Sequence, residues 1–494
     1  MTARHVVVIG GGLAGITAGI ALREAGIGVT VLEARPWLGG ATCSFSRGGL
    51  LIDNGQHVFL RCCTAYRELL ARLGMTGSVA IQDRFDVTVL SGTGPGQARL
   101  RRTALPGPLH MTKALARYSF LTPRQRLAVT RAALAMRFTD PAAPGLDDQR
   151  LGDWLAARGQ GAEARRRLWD LFIVSAMNIG GDDASAALAA IVIKTALLGG
   201  RAAADIGVPS VPLGDLHGKA AAGLLRRLGA DVRLGAKAAL VEPGRAGGFR
   251  VRVGQGGAHS DQAAADTGIT VNEDPGASQP GSPDDAGAEL TADGVVLAVP
   301  AAAAARLAPA GATASPPRWA ELGTSPIVNV HVIYDRRVTR LPMAAAVDSP
   351  VQWVFDKTRQ AGLPSGQYLA VSVSAADSYV DAPVASLRDS YLPALEQLFP
   401  AARDAQVTDF FVTRERRATF RQGPGSGALR PGAATMTPGL ALAGAWTDTG
   451  WPDTMEGAVR SGHSAAQELI RQLAAGPARS GVPASSQPAA RVSS

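Results

Sequence analysis

The sequence predicts an α/β fold, a doubly wound domain discontinuous along the chain and joined to a mixed α+β second domain. Three observations predict it. An apolar run, Val6-Val7-Val8-Ile9, opens the chain and leads into Gly10-Gly11-Gly12-Leu13-Ala14-Gly15. A second run, Val29-Thr30-Val31-Leu32, closes on Glu33 at the spacing of a strand–turn–helix–strand unit. Two more short apolar runs, Val295-Val296-Leu297-Ala298-Val299 and Leu440-Ala441-Leu442-Ala443, recur much later and read as returns to the same sheet.

Each part of the opening unit has a task. Gly10 makes the tight turn out of the strand. Gly12 lets the backbone approach a pyrophosphate, and Gly15 lets the helix pack closely. Ile16, Ala18, Ile20, Ala21 and Leu22 give the helix an apolar face, and Gly26 ends it. The helix N-terminus, around Leu13 and Ala14, presents N–H groups and a positive dipole end to phosphates. Glu33 stands where a carboxylate accepts hydrogen bonds from ribose hydroxyls. This is the Rossmann-type arrangement. By spacing alone the dinucleotide could carry nicotinamide or flavin.

Further along, residues 51–59 read as strand and turn and 65–73 as a helix. Residues 85–90 and 98–100 read as paired strands, and 105–200 as mostly helical. A helix begins at 213 and runs to 228, followed by strands at 230–234, 237–241 and 249–253. Residues 254–293 have almost no large apolar side chain and read as a disordered insertion between strands. Strands are expected at 328–333, 352–355 and 369–373, with a helix at 387–398. The tail, 476–494, reads as disordered. We therefore assign 1–75, 205–300 and 435–475 to the dinucleotide domain, and 76–204 and 301–434 to a substrate domain.

A chain of 494 residues is too long for one simple core. At 46% hydrophobic and 18% charged it has the composition of a globular protein, and its formal net charge of +9 favours anionic surfaces or a phosphorylated precursor. No basic stripe is interleaved with aromatics, so nucleic acid is not an expected partner. Cys43, Cys62 and Cys63 form neither a disulfide framework nor a zinc pattern, and no metal is expected. The longest apolar stretch, 186–198, is interrupted by Lys194 and is too short to span a bilayer. With the first strand starting so close to Met1, the expected location is cytoplasmic, or peripheral on the inner membrane face. One helical stretch interleaves Arg124, Arg126, Arg131 and Arg137 with Leu127, Val129, Ala132, Leu134 and Met136, below Lys113 and Arg117. It reads either as an interfacial membrane helix or as a helix packed on its own domain with a solvated basic face.

A second glycine pair, Gly39-Gly40, follows Glu33-Ala34-Arg35 and would let the chain double back along the pyrophosphate. Near the C-terminus, Gly444-Ala445-Trp446-Thr447-Asp448 leads through Pro452-Asp453-Thr454 into Met455-Glu456-Gly457-Ala458-Val459-Arg460-Ser461-Gly462. The two blocks resemble the flavin-dependent amine oxidase and phytoene desaturase superfamily. Within it, Asp53-Asn54-Gly55-Gln56-His57, Trp446-Thr447 with Pro452, and Val211-Pro212-Leu213-Gly214-Asp215-Leu216 resemble the hydroxysqualene dehydroxylases. The resemblance covers nearly the whole chain apart from 254–293 and the tail.

The resemblance implies FAD held by Gly10, Gly12, Leu13, Ala14, Gly15, Glu33, Ala34, Arg35, Gly39, Gly40, Ala238, Gly444, Asp448, Thr454 and Met455. The N-terminus of the closing helix would face a flavin carbonyl. Many relatives carry Asp where this chain has Ala445, and Asp448 is the candidate replacement. With no cysteine in the C-terminal half, non-covalent FAD is expected, a histidyl link staying open. The implied reaction replaces the hydroxyl of an apolar triterpenoid alcohol by hydride, giving squalene on the route to hopanoids. The implied partners are that isoprenoid and the synthases of squalene supply. Such chemistry needs a water-poor cavity and an acid. Asp53 and His57 are the candidate acid, the carboxylate favouring a charged imidazole, or else they brace the turn against the flavin. Trp446 and Trp451 either wall the flavin or an allylic cation or belong to the core. A carotenoid-type desaturase, running hydride transfer the other way, and a non-catalytic isoprenoid carrier on the same fold remain alternatives.

Overall fold

The computed structural model describes residues 4–94, 96–245, 247–255, 287–313 and 317–475. Five parallel strands form its central sheet in the order Asp231–Leu234, Gly28–Glu33, His5–Ile9, Gly294–Leu297 and Leu440–Leu442. Their runs are almost continuously apolar because both faces are covered. On one face Val6, Val8, Val31, Val296 and Ala441 pack beneath the helices Leu13–Glu24 and Met455–Ala475. These helices touch closely: a Cβ added at Gly462 would lie 2.3 Å from the Ala14 carbonyl oxygen. On the other face Val7, Ile9, Val295 and Leu297 join the apolar cluster of an antiparallel sheet made of Ala236–Pro243, Phe249–Gln255 and Glu289–Ala292. Alternate residues of each strand thus serve two different layers.

The second sheet has seven strands, ordered Val407–Thr419, Ser325–Tyr334, Gln367–Val373, Trp353–Asp356, Met343–Val347, Asp86–Ser91 and Gln97–Arg101. Its pairings are antiparallel except where Met343–Val347 runs parallel to Asp86–Ser91. The helix Val384–Leu398 covers one face through Leu387, Tyr391 and Leu395. Short helices between Thr112 and Val192, among them Pro123–Phe138, Leu151–Ala156 and Asp170–Met177, bury Tyr118, Trp154 and Trp169 in a common apolar cluster.

The expected strands at 328–333, 352–355 and 369–373, the hairpin at 85–100 and the helices at 65–73 and 387–398 all appear, shifted at their ends by a few residues. The insertion needs correction at its margins. Gly254 and Gln255 continue a strand, and Glu289–Ala292 pairs with it through Leu290 opposite Val251. One or two inward apolar residues suffice for a strand that lies on an existing sheet, so composition alone missed it. The rest of that segment, 256–286, and the tail lie outside the described residues. No described helix is long and apolar enough to cross a membrane.

Candidate active site

The opening turn has the geometry its glycines predict. Gly10 adopts φ +107°, and a Cβ there would meet the Ala298 carbonyl oxygen at 2.2 Å. A Cβ on Gly15 would come 1.9 Å from the Gly10 carbonyl oxygen, so the helix sits directly on the turn. Gly12 instead faces open space, its nearest neighbour being the Gly40 Cα at 3.9 Å. Gly12 bridges to Gly39, and the Gly39 N–H donates to the Gly11 carbonyl at 2.8 Å. The second glycine pair therefore folds back over the first. Glu33 is buried, and its carboxylate accepts the Gly11 N–H (2.6 Å) and the Arg35 N–H (2.8 Å). A carboxylate offers about four acceptor positions, so two remain for ribose hydroxyls. Ala34 lies between these two anchors, and the Arg35 guanidinium donates to the Gly40 carbonyl at 3.0 Å. Ala238 is buried at a β-bulge of the strand Ala236–Pro243, just past Gly235, whose N–H donates to the Arg35 carbonyl. No side chain caps the helix Leu13–Glu24, and its Leu13, Ala14 and Gly15 N–H groups have no partner among the described residues.

The closing block sits at the C-terminal end of the central sheet beside this turn. The Gly444 N–H donates to Ser461 Oγ (2.8 Å), and its carbonyl accepts Thr447 Oγ (2.9 Å). Thr454 Oγ accepts the Gly457 N–H at 3.2 Å and so caps the helix Met455–Ala475. Buried Arg430 organises the loop: its guanidinium donates to the carbonyls of Ala445, Trp446, Thr447 and Trp451 while lying 5.2 Å above the Phe420 ring. Nothing in the local pattern around Arg430 announces this role. Asp448 points outward, its carboxylate accepting the Gly450 N–H at 3.2 Å. Trp446 belongs to the core, its indole donating to the Val299 carbonyl and packing 5.4 Å from the Trp319 ring. The Trp451 ring already carries the Arg460 guanidinium at 4.8 Å, which makes it a poor wall for a second cation.

The segment Asp53 to His57 fastens the strand Leu50–Asp53 to the seven-stranded sheet. The Asp53 carboxylate accepts Ser44 Oγ (2.6 Å), the Leu213 N–H (2.9 Å) and Gln360 Nε2 (2.7 Å), and pairs with Lys357 Nζ at 3.3 Å. The Asn54 carbonyl accepts Asn329 Nδ2 and Thr413 Oγ, both at 3.2 Å. Thr413 in turn contacts His331, which bonds Tyr368 and stacks on Phe411. The expectation of a charged His57 is corrected. Asp53 pulls in that direction, but burial outweighs it and holds the imidazole below its ordinary pKa. His217 and His331 are driven by burial to about 3. Asp53, with four donors on its carboxylate, anchors the turn.

Several buried polar atoms here lack partners: Gln56 Nε2, Asn329 Oδ1, His217 Nδ1, Trp37 Nε1 and Thr449 Oγ. Gln56, His57 and Asn329 flank Gly55, whose added Cβ would lie 3.3 Å from His57 Cε1 and 3.5 Å from Asn329 Nδ2. Orphaned buried donors and acceptors are costly and point to a polar ligand. Together with the vacant pair of acceptor positions on Glu33 and the uncapped helix start, they fit a flavin dinucleotide. One more group stands out. Burial raises the Asp453 carboxyl to about 6, although the Phe420 N–H donates to Oδ2 at 2.8 Å. It immediately precedes Thr454 and Met455. Nothing local in the sequence marks Asp453, because an acid beside a helix start looks like an ordinary cap. No described cluster of His, Cys, Asp and Glu could hold a metal ion.

Residues 13–470 match the family model described as flavin containing amine oxidoreductase. The chain belongs to this family. It is 31% identical over 473 residues to the hydroxysqualene dehydroxylase of Rhodopseudomonas palustris, covering 94% of this chain and 98% of that protein. The resemblance carried by Asp53 to His57 and the closing block is thus borne out. It is also 25% identical to a zeta-carotene desaturase of Zea mays, covering 92% of this chain and 82% of the other. Among solved structures, a putative protoporphyrinogen oxidase from Exiguobacterium superposes with a TM-score of 0.66 at 17% identity, covering 95% and 99% of the two chains. That last likeness shows the fold. The protein is a flavin-dependent oxidoreductase with an α/β fold.

Proposed function

We propose that the protein is an FAD-dependent hydroxysqualene dehydroxylase, converting an allylic triterpenoid alcohol to squalene for hopanoid synthesis. The observation that carries this reading is the end-to-end similarity to hydroxysqualene dehydroxylases, with both glycine blocks intact. Gly12, Leu13, Ala14 and Gly15 would hold the pyrophosphate through backbone N–H groups, and Glu33 the ribose. Gly39 and Gly40 would close over them, and Met455 and Thr454 would place the helix N-terminus at the flavin ring. The FAD is bound non-covalently, and when reduced it supplies the hydride.

The overall change is balanced: the alcohol gains one hydride at carbon and loses hydroxide, which leaves as water with one proton. The chain's task is to hold that proton and keep other water out. Asp453 holds it in this reading, since a carboxyl raised to about 6 is largely protonated below that pH and keeps a larger protonated fraction near neutrality than an ordinary carboxyl. Asn329 and Gln56 offer an unpartnered acceptor and donor that orient the departing oxygen. Neutral His57, His217 and His331 add no charge to the wall. The same reading divides the chain into the dinucleotide and substrate domains assigned from sequence.

Anaerobic incubation of the flavin-loaded protein with hydroxysqualene and a chemical reductant should yield squalene by gas chromatography–mass spectrometry. A zeta-carotene-type polyene, dehydrogenated in the presence of an electron acceptor while hydroxysqualene is untouched, would favour the desaturase reading suggested by the maize relative.

A further inference from the structure

The helix Pro123–Phe138 is apolar on two opposite faces. Inward, Val129, Ala132 and Met136 are buried. Outward, Leu127, Leu134 and Phe138 are 52%, 55% and 77% exposed. At roughly 100° per residue these three fall within about 40° of one another, facing away from the buried trio. A helix that merely covers its own core has no need of this second stripe. Leu105 and Leu109 are exposed as well, at 48% and 52%. Their segment neighbours the C-terminal end of the helix: Arg137 donates to the Leu198 carbonyl at 3.4 Å, and Arg201, three residues on, donates to the Ala104 carbonyl at 3.0 Å.

The charge around this patch is one-sided. From Asp86 to Asp140 the sequence contains no Asp or Glu between those two residues. Lys113, Arg117, Arg124 and Arg131 are exposed there, and none has a carboxylate partner among the described residues. Elsewhere exposed arginines pair readily, as Arg99 does with Asp86 and Arg421 with Asp377. Arg124 and Arg131 flank the apolar stripe on one side by the same helical geometry.

We propose that this face docks on an anionic lipid bilayer, with Leu127, Leu134, Phe138, Leu105 and Leu109 entering the headgroup–acyl boundary and the four unpaired cations meeting lipid phosphates. Isolated exposed leucines are ordinary. Five of them or their like, framed by cations without counter-charge, match the requirements of an interfacial helix. If the substrate is an apolar isoprenoid, as proposed above, the bilayer is also where it dissolves. Of the two readings of this stretch, the buried trio agrees with a helix packed on its own domain, and the outer stripe carries the interfacial one.

The test is co-sedimentation of the flavin-loaded full chain with vesicles, which reads docking whatever the substrate proves to be. The wild-type protein should bind phosphatidylglycerol-containing vesicles, lose that binding in high salt, and bind pure phosphatidylcholine weakly. Arg124→Gln with Arg131→Gln should weaken binding roughly 25-fold, at about fivefold per cation. Leu134→Ser with Phe138→Ser should weaken it at least about tenfold. All four positions are exposed, so flavin absorbance and thermal midpoint should stay at wild-type values. Equal binding to both vesicle types, or variants that bind as well as wild type, would overturn the proposal. So would a lipid-free dimer that the Leu134→Ser, Phe138→Ser variant converts to monomer, since the face would then belong to a second copy.

Discussion

Replacing Lys357 by Met tests how the strand Leu50–Asp53 is held to the seven-stranded sheet. Lys357 Nζ lies 3.3 Å from the Asp53 carboxylate, and the two side chains are 7% and 3% exposed. At an effective dielectric of about 20, that separation corresponds to an attraction of roughly 5 kcal/mol. Removing the lysine also returns its desolvation cost, which is why burial holds its pKa below the ordinary lysine value. Asp53 keeps Ser44, the Leu213 N–H and Gln360 as donors. The net loss is therefore at the lower end of the range for a broken buried pair, about 3 kcal/mol. Asp53→Asn should cost more, because its amide hydrogens would face Gln360 and an uncompensated ammonium. The double variant should be at least about 1 kcal/mol more stable than the sum of the single losses predicts. Thermal unfolding followed by tryptophan fluorescence would read Lys357→Met as a midpoint lowered by roughly 3 °C, since a chain of this length unfolds with an entropy of about 1 kcal/mol/K. An unchanged midpoint, or strict additivity in the double variant, would refute the assignment of this pair as the tie between that strand and the sheet.

Glu33→Ala should weaken flavin retention about 10- to 100-fold, through loss of charge-assisted bonds to ribose and of the Gly11 and Arg35 anchors; equilibrium titration with FAD checks it. Asp453→Asn should slow turnover about 100-fold while leaving the bound-flavin spectrum in place. A carboxyl raised to about 6 is the proton donor below that pH, so wild-type turnover should fall as pH rises through about 6, and the variant should lose that limb. The stability sign is the same: the raised pKa favours the folded form fully below about 3.8, and this contribution disappears as pH climbs through about 6. Arg430→Met should destabilise the closing loop by about 2–4 kcal/mol, four carbonyls losing one shared donor; faster flavin release after dilution is the readout.

The dinucleotide unit was legible in the sequence because its logic is local. The turn at Gly10, the close contact at Gly15 and the acid at Glu33 all act within one strand–helix–strand segment, so spacing alone carries their meaning. The return strands at Gly294–Leu297 and Leu440–Leu442 were legible as buried apolar runs. Residue chemistry also pointed to Asp53 and His57, but only the tertiary structure decided their state. Lys357 and Gln360 come from over 300 positions away to saturate Asp53, and burial sets the proton on His57. Asn329, Arg430 and Asp453 were invisible for the same reason: each depends on partners distant in sequence, or on a dielectric environment that no local pattern encodes. The helix Pro123–Phe138 shows the division most plainly. Its sequence determined that arginines and apolar residues would alternate around a cylinder. Which apolar face turns inward, and which is left facing water beside unpaired cations, was decided by packing against the rest of the chain.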